Sequence, residues 1–226
     1  MKLLCSAGCG LALLCSTLAF AADPGPLTTE QQKLSYAFGI LFGRNVPSEM
    51  DLDRDAFLQG VQDVLDEKQP RLPPEEMRQV VQRYQDQQLA VRNEQAANNL
   101  AAGEKYLADN AKKEGVTTLP GGVQYKVLRS GEGTKPQLSD TVVVHYRGTL
   151  IDGKEFDSSY RRGEPATIPL QRVIKGWQDA VTAMPVGSKW EIYVPARLGY
   201  GEEGAGKDIG PNATLVFEIE LLEIKK

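Results

Sequence analysis

Chemistry needs particular side chains at particular spacings, and this chain offers few. Gly201-Glu202-Glu203-Gly204-Ala205-Gly206-Lys207 has the G-x-x-x-x-G-K spacing of a phosphate-binding loop. Asp208 stands where the metal-binding Ser or Thr belongs, and Pro211 precludes a helix whose N-terminus could hold phosphate. The two glutamates would repel the ligand as well. Ser158-Ser159 lacks the G-x-S-x-G setting of a hydrolase nucleophile, and the single histidine, His145, falls in the middle of a strand pattern. Cys5, Cys9 and Cys15 are the only cysteines, so one histidine and no thiol beyond residue 15 leave no metal-ligand spacing. Asn212-Ala213-Thr214 is a glycosylation sequon by chance. What remains is aromatic: Tyr146, Phe156, Trp177, Tyr193, Tyr200 and Phe217 cluster in strand ends and loops. Such a set is either plain core or the lining of an apolar pocket.

The elements that must position these rings follow from periodicity. From Val116 onward Gly and Pro are frequent and β-branched alternation marks strands at Val123–Leu128, Thr141–Leu150, Trp190–Val194 and Leu215–Ile224. Asp152-Gly153 between two such runs predicts a hairpin with positive φ. Ile174–Met184 reads as one amphipathic helix with Trp177, Ala180 and Val181 on a single side. The expectation is α+β: an antiparallel sheet wrapped on one short helix.

Upstream the pattern is helical. Thr28 or Thr29 can cap a helix with Gln31 or Gln32 closing the box, and Leu34, Phe38 and Leu41 follow at i, i+4, i+7. Asp53 can start a second helix carrying Phe57, Val61, Val64 and Leu65. Apolar residues on more than one face of two short helices call for a partner chain. Gly39 and Gly43 form a G-x-x-x-G that suits close packing of a soluble helix better than a membrane dimer. After Pro70, Pro73 and Pro74, a run rich in Gln, Ala, Glu and Arg extends from Glu75 to about Lys113. Its apolar stripe of Met77, Val80, Val81, Tyr84 and Val91 fades into Asn93, Asn98 and Asn99. It reads as a stalk, with Gly103 a soft point.

Composition sets the compartment and excludes some partners. The chain has 226 residues, 41% of them apolar, and a net charge of -4. That balance argues against nucleic acid as a partner. Lys2, an uncharged stretch from Leu3 to Phe20 and Ala19-Phe20-Ala21 resemble a cleavable export signal over 1–21. The predicted division is then a signal peptide at 1–21, a helical dimerisation domain at 22–70, a connecting helix at 71–115 and the α+β domain at 116–226. The expected location is the periplasm, with outer-membrane association as a variant.

Five separated blocks, VHYRGTLIDGKEFDSS, VIKGW, YVPARLGYG, GPNATLVFEIELL and LSYAFGILFGRNV, give the chain a specific resemblance. The first four resemble the FKBP-type peptidyl-prolyl isomerases from about Leu119 to Lys226. The last, with the long helix, resembles the exported, dimeric subgroup of macrophage infectivity potentiator-like proteins. The resemblance implies rotation about Xaa-Pro bonds, a step with no nucleophile, metal or cofactor. It implies Trp177 as the pocket floor, with Tyr146, Phe156, Val173, Ile174 and Phe217 as walls. Tyr200 and the Ile174 N–H would donate to the substrate carbonyl, Ile209 would cap the far side, and Asp157 would pair with Arg162 and the Tyr146 hydroxyl. Implied partners are proline-containing unfolded clients, macrolide inhibitors and a second copy bound through residues 27–91.

Departures from the family pattern bear on preference. Ala166 stands where an aromatic is common, with Ile168 covering part of that wall; Gly199 replaces a usual Ala, and Ile209-Gly210-Pro211 replaces Ile-Pro-Pro. Lys207 and Asp208 are candidates for selecting the residue before proline. The alternative reading is a non-catalytic chaperone that uses the same fold to hold clients or host ligands.

Overall fold

The computed structural model describes residues 25–46 and 50–225. The export signal expected over 1–21, and with it all three cysteines, lies outside the described residues. The chain divides into two compact units between Arg71 and Leu72.

Among the described residues of the first unit there are two helices. Helix α1 (Glu30–Gly43) starts at Thr29, whose hydroxyl accepts from the Gln32 N–H while the Gln32 side chain accepts from the Thr29 N–H. Helix α2 (Arg54–Leu65) is capped by Asp53. Phe42 and Phe57 stack at 6.1 Å between centroids. In α2 the buried side chain is a polar one: Asp63, held by Gln59 and Arg71 at 2.9 Å each. Leu34, Phe38, Leu41, Val64 and Leu65 are exposed. Gly39 and Gly43 pack against no other described residue, since an added Cβ would meet nothing within 4 Å at either.

The second unit opens with the long helix α3 (Pro74–Asn110), with Pro74 at its first position, where the missing N–H costs nothing. Among the described residues seven strands form one antiparallel sheet: β1 (Val116–Thr118), β2 (Gln124–Arg129), β3 (Thr141–Leu150), β4 (Glu155–Ser158), β5 (Ala166–Pro169), β6 (Lys189–Val194) and β7 (Leu215–Lys225). The order is β1-β2-β6-β7-β3-β4, and β5 shares the outer edge of β3 with β4. Alternation puts Val142, Val144 and Tyr146 of β3 on the inner face with Trp190, Ile192 and Val194 of β6 and Leu215, Phe217 and Ile219 of β7. Two short helices flank the sheet, α4 (Ser159–Arg162) and α5 (Lys175–Val181). Helix α5 closes the core with Trp177, Ala180 and Val181, and Met184 follows.

The hairpin at Asp152-Gly153 forms. Gly153 has φ +88° while Asp152 stays at negative φ, so the turn is a three-residue loop rather than the two-residue type in which both central residues are left-handed. The Asp152 carboxylate accepts from the Lys154 N–H at 2.9 Å.

The second half of α3 departs from a free stalk. Gly103 is not a soft point: it is buried, and a Cβ there would lie 2.2 Å from Thr214 Oγ1. Tyr106 faces Tyr193 at 6.1 Å, and Asn110 donates to Gln124, which in turn donates to the Leu107 carbonyl at 2.8 Å. The first half of the helix, up to Val91, is exposed apart from the partly buried Tyr84.

Candidate functional site

A cavity of about 490 Å³ opens between the inner face of the sheet, α5 and the loop that precedes β7. Its floor is Trp177, presented by the first turn of α5 and only 4% exposed. Tyr146 meets Trp177 edge-on at 5.3 Å, Phe217 meets it edge-on at 5.4 Å, and Phe156 meets Phe217 the same way at 5.5 Å. Edge-to-face contacts fix ring orientation as well as burying area. Gly148 permits this arrangement, since a Cβ there would lie 2.6 Å from the Phe156 ring and 2.9 Å from that of Phe217.

Val173 and Ile174, at the N-terminus of α5, line one side, and Ile168 of β5 lies beside them. Ala205, Gly206, Lys207, Asp208 and Ile209 form the opposite wall. Tyr200 stands at the rim, 41% exposed, and its hydroxyl bonds to no other described residue. Burial and then the charge of Asp157 push that hydroxyl's pKa up, so it remains a donor. The Ile174 N–H, ahead of the first helical turn, likewise has no acceptor among the described residues.

Asp157 reaches the pocket from β4 as part of a charged triangle. Arg162, on α4, donates to Asp157 at 2.6 Å and to the Tyr146 hydroxyl at 2.9 Å, while Tyr146 donates to Asp157 in a short hydrogen bond. The guanidinium also lies over the Tyr146 ring. Partial burial pushes the Asp157 carboxyl up, but the bonds from Tyr146 and Arg162 outweigh it and hold the group below the usual carboxylate range. Burial and the bond to Asp157 push the Tyr146 hydroxyl up. At neutral pH the triangle is one anion, one cation and one neutral phenol.

Nine of the ten residues singled out from the sequence, Tyr146, Phe156, Asp157, Val173, Ile174, Trp177, Tyr200, Ile209 and Phe217, line this single cavity. Arg162 does not; it sits behind Asp157 and Tyr146. Tyr193, grouped with the aromatics by sequence, lies on the other face of the sheet against Tyr106 of α3 and donates to Glu191 at 2.6 Å. Strand alternation could have separated it, because Ile192 and Val194 face inward. Arg172, Ala205 and Gly206 line the cavity without having been anticipated, since nothing in their type marks them. His145 points away from the cavity, bonding Ser159 at 3.0 Å and stacking on Tyr160. Ser159 is fully buried, so the pair offers no exposed nucleophile. Gly201–Glu203 is a single 3-10 turn, and the segment leads on to the strand β7 rather than into an α-helix.

Fold and site together define an α+β protein with an aromatic-floored pocket, at whose rim the Tyr200 hydroxyl and the Ile174 N–H have no partner among the described residues. Residues 132–222 match the model of the FKBP-type peptidyl-prolyl cis-trans isomerases, and residues 31–127 match the domain amino terminal to it. The outer membrane protein MIP of Legionella longbeachae is 44% identical over 100% of this chain and 98% of its own. The FKBP-type 22 kDa isomerase of Escherichia coli is 46% identical over 87% of this chain and 96% of its own. The crystal structure of FkpA from Escherichia coli superposes with a TM-score of 0.63 at 39% identity, covering 88% of this chain and 99% of that one. The chain belongs to the FKBP-type peptidyl-prolyl cis-trans isomerases.

Proposed function

We propose that this chain catalyses cis–trans rotation about Xaa-Pro bonds of exported proteins and so assists their folding. The observation that carries the reading is the Trp177-floored pocket with two unengaged donors, Tyr200 and the Ile174 N–H, at its rim. Rotation faces a barrier of about 18–20 kcal/mol because the planar amide is resonance-stabilised. A catalyst must hold the twisted amide better than either planar form. The twisted amide has lost resonance and is less polar, so a dry aromatic site favours it over water. The proline ring sits on Trp177, the rim donors hold the substrate backbone through a carbonyl outside the rotating amide, and lowering the barrier by about 5.5 kcal/mol gives roughly 10⁴-fold acceleration. Asp157, Arg162 and Tyr146 act as a rigid charged brace that keeps one wall in place. Lys207 and Asp208, on the opposite wall, tune preference for the residue before proline.

The assignment of a signal peptide to 1–21, dimerisation to 22–70, a connecting helix to 71–115 and catalysis to 116–226 is part of this reading. The exposed apolar residues of α1 and α2 support a homodimer through residues 27–91. Relatives named for the outer membrane and for this activity support export to the periplasm. Macrolides of the family's inhibitor class are expected to occupy the same pocket, and the paired arms to hold unfolded clients.

The test is cis–trans exchange in a short Xaa-Pro peptide with and without rapamycin. Acceleration that is abolished by the ligand and by Tyr200→Ala is expected. A folded protein that accelerates no Xaa-Pro peptide would replace this reading with that of a non-catalytic client holder.

A further inference from the structure

The wall of the pocket formed by Ala205–Ile209 is a thin partition. On one face Gly206, Lys207, Asp208 and Ile209 line the cavity over Trp177. On its other face the same four residues line a second, polar cleft of about 590 Å³, bounded by Arg92, Gln95 and Asn99 of α3. Within itself the loop is lightly tied. Ala205 and Ile209 exchange N–H···O bonds of 2.8 and 3.2 Å, and the Asn212 N–H donates to the Gly201 carbonyl at 2.8 Å. With Gly201, Gly204, Gly206 and Gly210 in or beside it, this segment loses much conformational entropy on ordering and needs bracing from outside.

Part of that bracing comes from α3. Arg92 reaches the loop before the partition, bonding the Glu203 carboxylate at 2.5 Å and the carbonyls of Glu202 and Glu203 at 3.2 and 3.4 Å. Asn99 reaches it after the partition, donating to the Pro211 carbonyl at 2.8 Å. Two helical turns, about 10.5 Å of rise, separate the two residues. Between them the helix rides on the loop backbone: a Cβ at Gly210 would meet Gln95 Nε2 at 2.9 Å and Asn99 Nδ2 at 3.1 Å. Lys154, paired with Asp208 at 3.0 Å, is a further external tie.

We propose that Arg92 and Asn99 are positioning residues of the substrate site. By clamping the two ends of the Ala205–Ile209 partition from behind, α3 sets the width of the pocket and with it the fit of the residue before proline. The Arg92 half of the clamp contributes little to global stability, because an exposed ion pair contributes little, whereas the part-buried Asn99 bond contributes some. The clamp's effect is on the substrate-side geometry of the loop. The inference rests on the isomerase reading, and it makes the long helix part of the catalytic domain's binding site.

The experiment compares full-length wild type with Arg92→Ala, Asn99→Ala, the double variant and Arg92→Lys, using Xaa-Pro tetrapeptides that differ in Xaa. Arg78→Ala, which removes a pair with Glu75 on the same helix, is the control. Each protein is read for kcat, KM, calorimetric peptide Kd and Tm. Arg92→Ala and Asn99→Ala are each expected to raise KM and Kd roughly 5- to 10-fold with kcat within about twofold, and to alter the ranking of Xaa. Tm is expected to stay close to wild type for Arg92→Ala and to fall modestly for Asn99→Ala, Arg92→Lys to recover part of the loss, and the control to change nothing. Unchanged KM, Kd and ranking would overturn the proposal. So would a loss of kcat across all peptides that tracks a fall in Tm, because that marks general destabilisation. If the wild type binds peptides without turning them, the isomerase reading fails and the Kd comparison decides this one alone.

Discussion

Val64 and Leu65 of α2 are 75% and 78% exposed, whereas Leu215 and Ile219 of β7 are fully buried, so similar side chains meet opposite fates in the two units. The second unit has a sheet whose inner face and α5 bury each other's apolar residues, which is what an independent core requires. The first has two helices of 14 and 12 residues, too short and too few to cover their own rings. Among the described residues the first unit leaves its apolar side chains exposed, whereas the second closes a core and leaves open the cavity over Trp177 and the cleft behind its wall. The lesson is that apolar pattern alone does not distinguish a core from an interface. Whether the fold supplies a covering layer does.

The largest expected effect tests the open half of that contrast. Phe38→Asp with Phe42→Asp puts two charges on the exposed face of α1 and is expected to convert the proposed dimer to a monomer in analytical ultracentrifugation. Turnover of short peptides should stay within about twofold, since no pocket residue is touched. A dimer that survives both charges would remove α1 from the interface. A smaller effect is expected in the closed half. Gly103→Val forces a side chain onto Thr214 and should destabilise the second unit by about 1–3 kcal/mol in denaturant melts, with partial rescue by Thr214→Ala. Gly39→Ala, where a Cβ meets nothing within the chain, should leave that melt unchanged.

The smallest effect concerns the brace at the pocket. The folded-state pKa of Asp157 is depressed, so its charge stabilises the fold fully above the unfolded value of about 3.9, and the benefit is lost as pH falls through the lower folded value. The Tm of wild type should therefore exceed that of Asp157→Asn at pH 7, and the two should converge below about pH 4. The gap is modest because the Asp157 side chain is 42% exposed. A gap that persists at low pH would mean that shape, and not charge, makes the brace.

Long, regular elements were legible in the sequence. Alternation located β3 over its full length and β7 to within a residue, and Thr29 and Asp53 marked the starts of α1 and α2. Strands β1 and β5 were not legible, because three or four residues carry no period of their own and become strands only by pairing with β2 and β3, and β4 was implied only as the second arm of the Asp152-Gly153 hairpin. The docking face of α3 was hidden for a different reason. Arg92, Gln95, Asn99, Gly103, Tyr106 and Asn110 recur every three or four residues on one side, but they are polar or small. A search for apolar periodicity reads such a stripe as solvated. The pocket showed most clearly through its rings, and less so where Ala205 and Gly206 contribute mainly backbone.

One consequence of the sheet's outline bears on the company this protein keeps. Unfolded polypeptides offer free strands, and an exposed sheet edge is a template on which they can add. Here one border is β1, three residues long, and the other is divided between β4 and β5, four residues each. The long strands β3, β6 and β7 are all interior. A folding assistant with such blunted borders can work amid sticky, half-made chains without being recruited into their aggregates.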